Sequence, residues 1–124
     1  MAVILHPQLL HLKGLVQVIH SDDYNITLKI INVIVSGVYF PPKLCKKVRL
    51  KQVQGDKILR SSDAILGYFN MHRKDGKWRK LLEIMEERVL IRDSNDSKTH
   101  LSGNAIDHIF YSPQTFRQFK AKYV

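Results

Sequence analysis

The sequence predicts an α/β protein in which one helix packs over mixed or antiparallel strands. Two stretches indicate the strands: residues 26–40 are rich in β-branched side chains, and residues 64–66 form a short apolar run that ends at Gly67. A third stretch indicates the helix, because its apolar residues recur at the i, i+3, i+4 and i+7 spacing of one helical face. These residues are Trp78, Leu81, Leu82 and Met85.

The first part of the chain predicts short strands separated by a turn. Residues 2–6 and 15–20 are apolar and predict two strands, and residues 21–24 contain Ser and Asp side chains that bond nearby amides in turns. The stretch 26–40 is too long for one ordinary strand. We therefore divide it near Asn32 into two antiparallel strands.

A weak helical pattern follows over residues 44–53, after the prolines at residues 41–42 end the preceding strand. Lysines surround the face that the pattern predicts to be inner, which consists of Leu44, Val48 and Gln52. Gly55 and Asp56 end this predicted surface helix, and the apolar strand around Gly67 comes next.

The last part of the chain predicts one clear helix and two strands. Asp75 is predicted to cap the N-terminus of the helix that contains Trp78. Residues 89–91 predict the start of a strand, residues 93–104 a polar loop, and residues 105–111 the last strand.

Length and composition predict a single domain spanning residues 1–124. The chain has a mass of 14.4 kDa and one cysteine, Cys45, so an intramolecular disulfide is excluded. It contains no apolar stretch long enough to span a membrane. The first five residues are apolar but carry no basic leader, so we expect an intracellular protein that is not secreted, in the cytoplasm or the nucleus.

The charge of the chain favours a polyanionic partner. The formal net charge is +9, from 20 Lys and Arg against 11 Asp and Glu. Clustered cations bind phosphates by releasing counterions, and DNA is therefore the expected partner. An alternative is that these residues only form solvated helix faces. The cations predicted to bind nucleic acid are Lys46, Lys47, Arg73, Lys74 and Lys77. They belong to the first two of three basic clusters in the sequence: Lys43, Lys46, Lys47, Arg49 and Lys51; Arg73, Lys74, Lys77, Arg79 and Lys80; and Arg117, Lys120 and Lys122.

Three motifs in order resemble one enzyme superfamily. Residues 67–70, Gly-Tyr-Phe-Asn, resemble the Gly-Asp-Phe-Asn signature of the endonuclease/exonuclease/phosphatase superfamily, which includes DNase-I-like, abasic-site and retrotransposon endonucleases. Residues 35–42 are similar to the strand that ends in Tyr-x-Pro in these enzymes, and residues 102–113 to their Ile-Asp-His/Tyr-Ile-Phe strand. Matches at three ordered positions are more specific than one motif alone.

The resemblance implies a fold and a set of site residues. The fold would be a partial two-sheet α/β sandwich of the DNase-I-like type. Asn70 would orient substrate or phosphate oxygens, Tyr39 would lie near the phosphate or leaving group, and Asp107 would orient a catalytic histidine. Tyr68 stands at the position of the family's water-activating Asp, and a phenol is a poor general base at neutral pH.

Other catalytic pieces of that superfamily have no counterpart in this sequence. The segment with the metal-binding Glu would precede residue 2, and the Ser-Asp-His element would follow Val124. The sequence therefore predicts a truncated, inactive relative of Mg²⁺-dependent phosphodiesterases that retains no Mg²⁺. The alternative is a non-catalytic, basic nucleic-acid-binding module. Loss of outer strands would leave sheet edges unpaired, which favours self-association.

Two residues that could suggest a ligand site are interpreted as core. His108 lies in a predicted strand without other metal ligands at a compatible spacing, so it is predicted to be a buried polar residue. Trp78 belongs to the apolar helical stripe and is predicted to pack inside. No metal-binding residue is assigned.

Overall fold

A mixed β-sheet forms the centre of the structure, a computed structural model that describes Pro7, residues 14–93 and residues 107–123. Within these residues the sheet has six strands in the order β1-β2-β3-β4-β6-β5. They are β1 (Val16–Ser21), β2 (Asn25–Ile30), β3 (Val33–Tyr39), β4 (Ala64–Tyr68), β5 (Ile91–Arg92) and β6 (Asp107–Tyr111). Neighbours pair antiparallel except β3 and β4, which are parallel. The prediction of an α/β fold is confirmed.

Four helices accompany the sheet in the described residues, where the sequence predicted two, the surface helix over residues 44–53 and the helix that contains Trp78. They are α1 (Lys46–Gly55), α2 (Lys57–Arg60), α3 (Trp78–Glu87) and α4 (Pro113–Tyr123). The weak pattern over residues 44–53 corresponds to α1. Neither α2 nor α4 was predicted, because α2 is only one turn long and α4 carries its apolar residues among Gln and Lys.

The long β-branched stretch does form two antiparallel strands, β2 and β3. Ile30 pairs with Val33, and Ile31 has a left-handed φ of 60° in the tight turn between them. The amide of Ile31 donates to the carbonyl of Leu15 at 3.1 Å. The predicted division near Asn32 is therefore confirmed, and so is the predicted turn before β2, where the Asp22 carboxylate accepts from the amides of Tyr24 and Asn25.

Buried hydroxyl groups link β3 to its neighbour β2 and to the segment that precedes β4. Ser36 Oγ lies 2.6 Å from Thr27 Oγ1 and 2.6 Å from Ser62 Oγ, and Ser62 Oγ donates to the Ile58 carbonyl at 3.0 Å. The Asp63 carboxylate accepts from the Ile34 amide at 2.9 Å. Burial of these hydroxyl groups costs little free energy because each of them has a hydrogen-bond partner.

The main hydrophobic core lies between α1, α3 and one face of the sheet. Phe69 of the loop after β4 makes an edge-on contact with Phe110 of β6, with ring centroids 5.5 Å apart. The buried side chains from the sheet and the helices form one cluster that includes Val38, Phe40, Leu50, Val53, Ile65, Leu81, Ile84 and Met85. The apolar stripe predicted for α3 is confirmed, with Leu82 partly buried at its margin.

Two local predictions for the helices are wrong. Asp75 does not cap α3: Lys77 occupies the N-cap position without a side-chain bond, and Asp75 instead accepts from Lys46 and from the His72 amide. The inner face of α1 is also different, since Arg49, Leu50 and Val53 are buried whereas Val48 is 42% exposed. Packing against the sheet, rather than the weak apolar pattern, determines which face of α1 is inner.

The second face of the sheet is only partly covered by the residues that the structure describes. Near the β2–β3 turn, Asn32 and Val33 line a shallow cleft together with Thr115 and Phe119 of α4. Farther along this face, large side chains of β3, β4 and β6 remain exposed: Tyr39 at 46%, Leu66 at 37% and Ile109 at 46%.

Some predictions lie outside the described residues. These are the strand over residues 2–6 and almost all of the polar loop over residues 93–104. Among the residues described, no helix combines the length and the apolarity that crossing a membrane requires.

Candidate functional site

Three of the residues singled out by the motifs stand in one row across the sheet. Tyr39 ends β3, Tyr68 ends the parallel strand β4, and Asp107 begins the antiparallel strand β6. Tyr39 pairs in register with Tyr68, and Tyr68 pairs with Asp107. In-register neighbours point to the same face of a sheet. The fold thus brings these three side chains to the same face of the sheet, at neighbouring ends of β3, β4 and β6.

Gly67 permits this close pairing. Its φ is +130°, and a Cβ atom at this position would lie 2.2 Å from the carbonyl oxygen of Val38 on β3. Only glycine avoids both the backbone strain and that overlap. The apolar run around Gly67 is therefore a strand that continues through Tyr68, one residue beyond the glycine.

Asn70 lies in the loop that follows β4, two residues beyond Tyr68. Its φ of 52° is in the left-handed region, which Asn adopts more readily than most residues. The Asn70 carbonyl accepts a hydrogen bond of 2.6 Å from Arg49 Nη1. This hydrogen bond from α1 holds the backbone of Asn70 in place.

Arg49 connects the loops that leave β3 and β4. Besides the bond to Asn70, its Nε donates to the Leu44 carbonyl at 2.6 Å and its Nη2 to the Pro42 carbonyl at 3.2 Å. Burial lowers the pKa of Arg49, and the nearby Asp75 carboxylate partly offsets that effect. A guanidinium remains charged under these conditions, so a buried cation holds both loops in place.

The sequence pattern did not predict this role for Arg49. Its position among lysines indicated a solvated basic face, and that interpretation is wrong for this residue, which is 4% exposed. The sequence nonetheless contained a signal that Arg49 lies on the inner face of the helix. Arg49 and Val53 are four residues apart and so share a helical face, and Val53 is buried.

Two basic clusters that are separate in the sequence meet in the structure. Lys46 at the start of α1 forms an ion pair with Asp75, in the loop before α3. The Asp75 carboxylate also accepts from the His72 amide at 2.7 Å and lies 3.8 Å from His72 Nε2. We call the resulting patch the basic surface. It consists of Lys46, Lys47, Arg73, Lys74 and Lys77, all of which are exposed or partly exposed.

The third basic cluster lies elsewhere. Arg117, Lys120 and Lys122 belong to α4, whose Lys122 lines the cleft beside Asn32. Asn32 precedes β3, whereas Tyr39 ends it. The cations of α4 are therefore near the opposite end of that strand from the row of Tyr39, Tyr68 and Asp107.

His108 and Trp78 are core residues, as predicted. His108 is 4% exposed, and its Nε2–H donates to the Met71 carbonyl at 2.5 Å. The imidazole packs against the Trp78 indole with ring centroids 4.7 Å apart. On its other side, Arg92 Nε donates to His108 Nδ1 at 3.5 Å, and the Arg92 guanidinium lies 5.4 Å from the Trp78 ring centroid.

The donor set at the edge of the sheet does not by itself fit a magnesium site. Asp107 supplies the one carboxylate among Tyr39, Tyr68, Asn70 and Asp107, and Mg²⁺ requires near-octahedral coordination by oxygen ligands. In the part of the chain that the structure describes, no group of three or more His, Cys, Asp or Glu could hold a metal ion. We assign no reaction step to a metal.

Comparison with known proteins does not place the chain in a family. No family model matches the sequence, and no curated protein or solved structure is significantly similar to it. The relationship suggested by the three motifs therefore stays a prediction. The function has to be argued from the geometry and charge of the residues themselves.

Proposed function

We propose that this chain binds nucleic acid through phosphate groups and does not cleave it. The observation that carries the proposal is the ion pair between Lys46 and Asp75, which brings the cations at the start of α1 beside those of the loop before α3. Because the two segments then adjoin, a polyanion can neutralise several of their cations together and release its own counterions. A small phosphate ester would use only part of this surface.

The arrangement of Asp75 strengthens the proposal. The carboxylate is largely buried and is occupied by Lys46 and by the His72 amide, so it holds the loop rather than repelling a phosphate. Around it, Lys47, Lys74 and Lys77 extend into solvent. Such contacts to the phosphate backbone position a protein on nucleic acid without reading its base sequence.

A second candidate function is phosphodiester hydrolysis in DNA, by a partial DNase-I-like sandwich. The row of Tyr39, Tyr68 and Asp107, with Asn70 just beyond it, favours this candidate, since the residues that match the family motifs lie at one edge. The exposed side chains of Leu66 and Ile109 would suit a second sheet layer. Against activity stands Tyr68, because a phenol replaces the carboxylate that would activate water.

The experiment that separates these candidates measures binding and cleavage on the same DNA. Fluorescence anisotropy with a labelled duplex gives the affinity, and nicking of a supercoiled plasmid with Mg²⁺ or with EDTA gives the activity. We expect binding that weakens as salt rises, and no nicking. Chelator-sensitive nicking that disappears in Asn70→Ala or Asp107→Ala would instead establish an active nuclease.

A matched pair of variants tests the location of the binding surface. The first variant combines Lys47→Gln, Lys74→Gln and Lys77→Gln; the second combines Arg117→Gln, Lys120→Gln and Lys122→Gln on α4. Both lose the same formal charge, but only the first should weaken binding by about tenfold or more. An equal loss in both variants would show that net charge alone attracts the DNA and would refute the proposed surface.

A further inference from the structure

Tyr39 and Tyr68 form an aromatic pair on the sheet face that the described residues leave partly open, with Tyr39 exposed and Tyr68 partly buried. Their ring centroids are 5.4 Å apart and the ring planes are tilted by 33°. Tyr39 is 46% exposed although it lies in a strand, and Leu66 and Ile109 are exposed on the same face. Aromatic surface left in water in this way is typical of a binding site.

The aromatic pair borders the loops that carry the basic surface. Tyr39 is followed directly by the loop that leads to Lys46, and Tyr68 by the loop that leads to Arg73 and Lys74. Arg49 fastens both loops to α1 through backbone carbonyls. The tyrosine pair and the loops that lead to the cations therefore lie at the same end of strands β3 and β4.

A nucleic acid strand can use both features only if its bases are unpaired. Proteins that bind single strands combine a basic groove for the phosphates with aromatic side chains on which successive bases stack. In a duplex the base faces are stacked on one another, so they are not accessible to a side chain. The tyrosine pair would then add affinity for a single strand and none for a duplex.

We infer that Tyr39 and Tyr68 form a stacking platform for unpaired bases, and that the preferred nucleic acid is single-stranded. This inference rests on the proposed function, because the basic surface holds the phosphates while the tyrosines hold the bases. Single-stranded DNA and single-stranded RNA both offer phosphates and unpaired bases to such a site. The binding test therefore includes both.

The first experiment compares three labelled probes by fluorescence anisotropy with the full chain. The probes are a thymidine oligonucleotide of about 12 nucleotides, the uridine ribo-oligonucleotide of the same length, and a DNA duplex of equal length. We expect at least one single strand to bind more tightly than the duplex. Loss of stacking in Tyr39→Leu should weaken single-strand binding by roughly fivefold or more and leave duplex binding unchanged.

Tyr39→Phe is the matched control, since it removes the hydroxyl and keeps the ring. It should retain the single-strand affinity of the unaltered chain. Equal binding of duplex and single strands, or an equal loss in Tyr39→Phe and Tyr39→Leu, would overturn the stacking platform while leaving the basic surface intact. If no probe binds in a salt-dependent manner, the proposed function itself fails. Size-exclusion chromatography could instead show a dimer that dissociates in Tyr39→Leu while nucleic acid binding is unchanged. That result would overturn the stacking platform and show that this face of the sheet binds a second copy of the chain.

A second experiment uses the unaltered chain and so does not depend on any variant folding. A thymidine oligonucleotide that contains 5-iododeoxyuridine is bound, irradiated and digested, and the crosslinked peptide is identified by mass spectrometry. We expect the crosslink at Tyr39 or Tyr68, because stacking places the halogenated base against the ring. Crosslinks found only at other residues would overturn the inference.

Discussion

At the scale of single residues, Gly67 decides whether β4 can lie against β3. The Gly67→Ala variant should lower the free energy of unfolding by about 2 kcal/mol or more, because it adds strain at a φ of +130° and an overlap with the Val38 carbonyl. Urea denaturation followed by circular dichroism measures the change.

Gly76 provides the control for this substitution. Nothing lies within 4 Å of a Cβ atom built there. Gly76→Ala should therefore change the free energy of unfolding by less than about 1 kcal/mol. If the two variants were equally stable, the close approach of β4 to β3 would not exist in solution.

Asp75 gives the fold a dependence on pH. Burial raises the pKa of Asp75, but the hydrogen bonds from Lys46 and the His72 amide, with the charge of Lys46, lower it more, so the net pKa lies below its ordinary value. A depressed carboxyl pKa contributes stability above the unfolded value of about 3.9 and loses it as pH falls through the folded value.

Between about pH 5 and pH 2, the unaltered chain should therefore lose more stability than Asp75→Asn, which cannot titrate at this position. Urea denaturation across that range compares the two proteins. Asp23→Asn, in an exposed turn, serves as the control and should follow the unaltered chain. Parallel pH profiles for the unaltered chain and Asp75→Asn would contradict the ion pair with Lys46.

At the scale of elements, α3 was the easiest part to predict. Its buried side chains follow helical spacing and no competing pattern overlaps them. Leu81 is 1% exposed within that stripe. Leu81→Ala should lower the free energy of unfolding by about 3 kcal/mol, through lost burial and a residual cavity.

The exposed neighbour Lys80 supplies the comparison for α3. Lys80→Ala should alter the free energy of unfolding by less than about 0.5 kcal/mol. Thermal or urea denaturation of both variants distinguishes them. Similar losses for Leu81→Ala and Lys80→Ala would mean that the stripe does not pack on the sheet.

Other elements depended on tertiary contacts that no local pattern contains. The face of α1 was predicted from Leu44, Val48 and Gln52, yet burial falls on Arg49, Leu50 and Val53. Arg49 can be buried because three backbone carbonyls accept its hydrogen bonds, two of them outside α1 in the loop after β3 and one in the loop after β4. A sequence window around α1 cannot reveal those partners.

At the scale of the whole molecule, the strand order explains why distant motifs meet. Because β6 pairs with β4, Asp107 lies beside Tyr68 although the two residues are 39 positions apart in the chain. The sequence predicted each of these strands and the candidate residues, but it contained no direct signal for the pairing order. The junction of the two basic clusters likewise depends on how α1 and α3 pack, not on either cluster alone.

The central claim is that one basic surface binds the phosphates of nucleic acid, and the salt dependence of binding tests it most directly. The logarithm of the binding constant is plotted against the logarithm of salt concentration for the unaltered chain and for the two triple variants. Replacing Lys47, Lys74 and Lys77 by Gln should reduce the magnitude of the slope by roughly 3 on a duplex and roughly 2 on a single strand, whereas the α4 variant should keep the slope of the unaltered chain. Identical slopes for all three proteins would contradict the account.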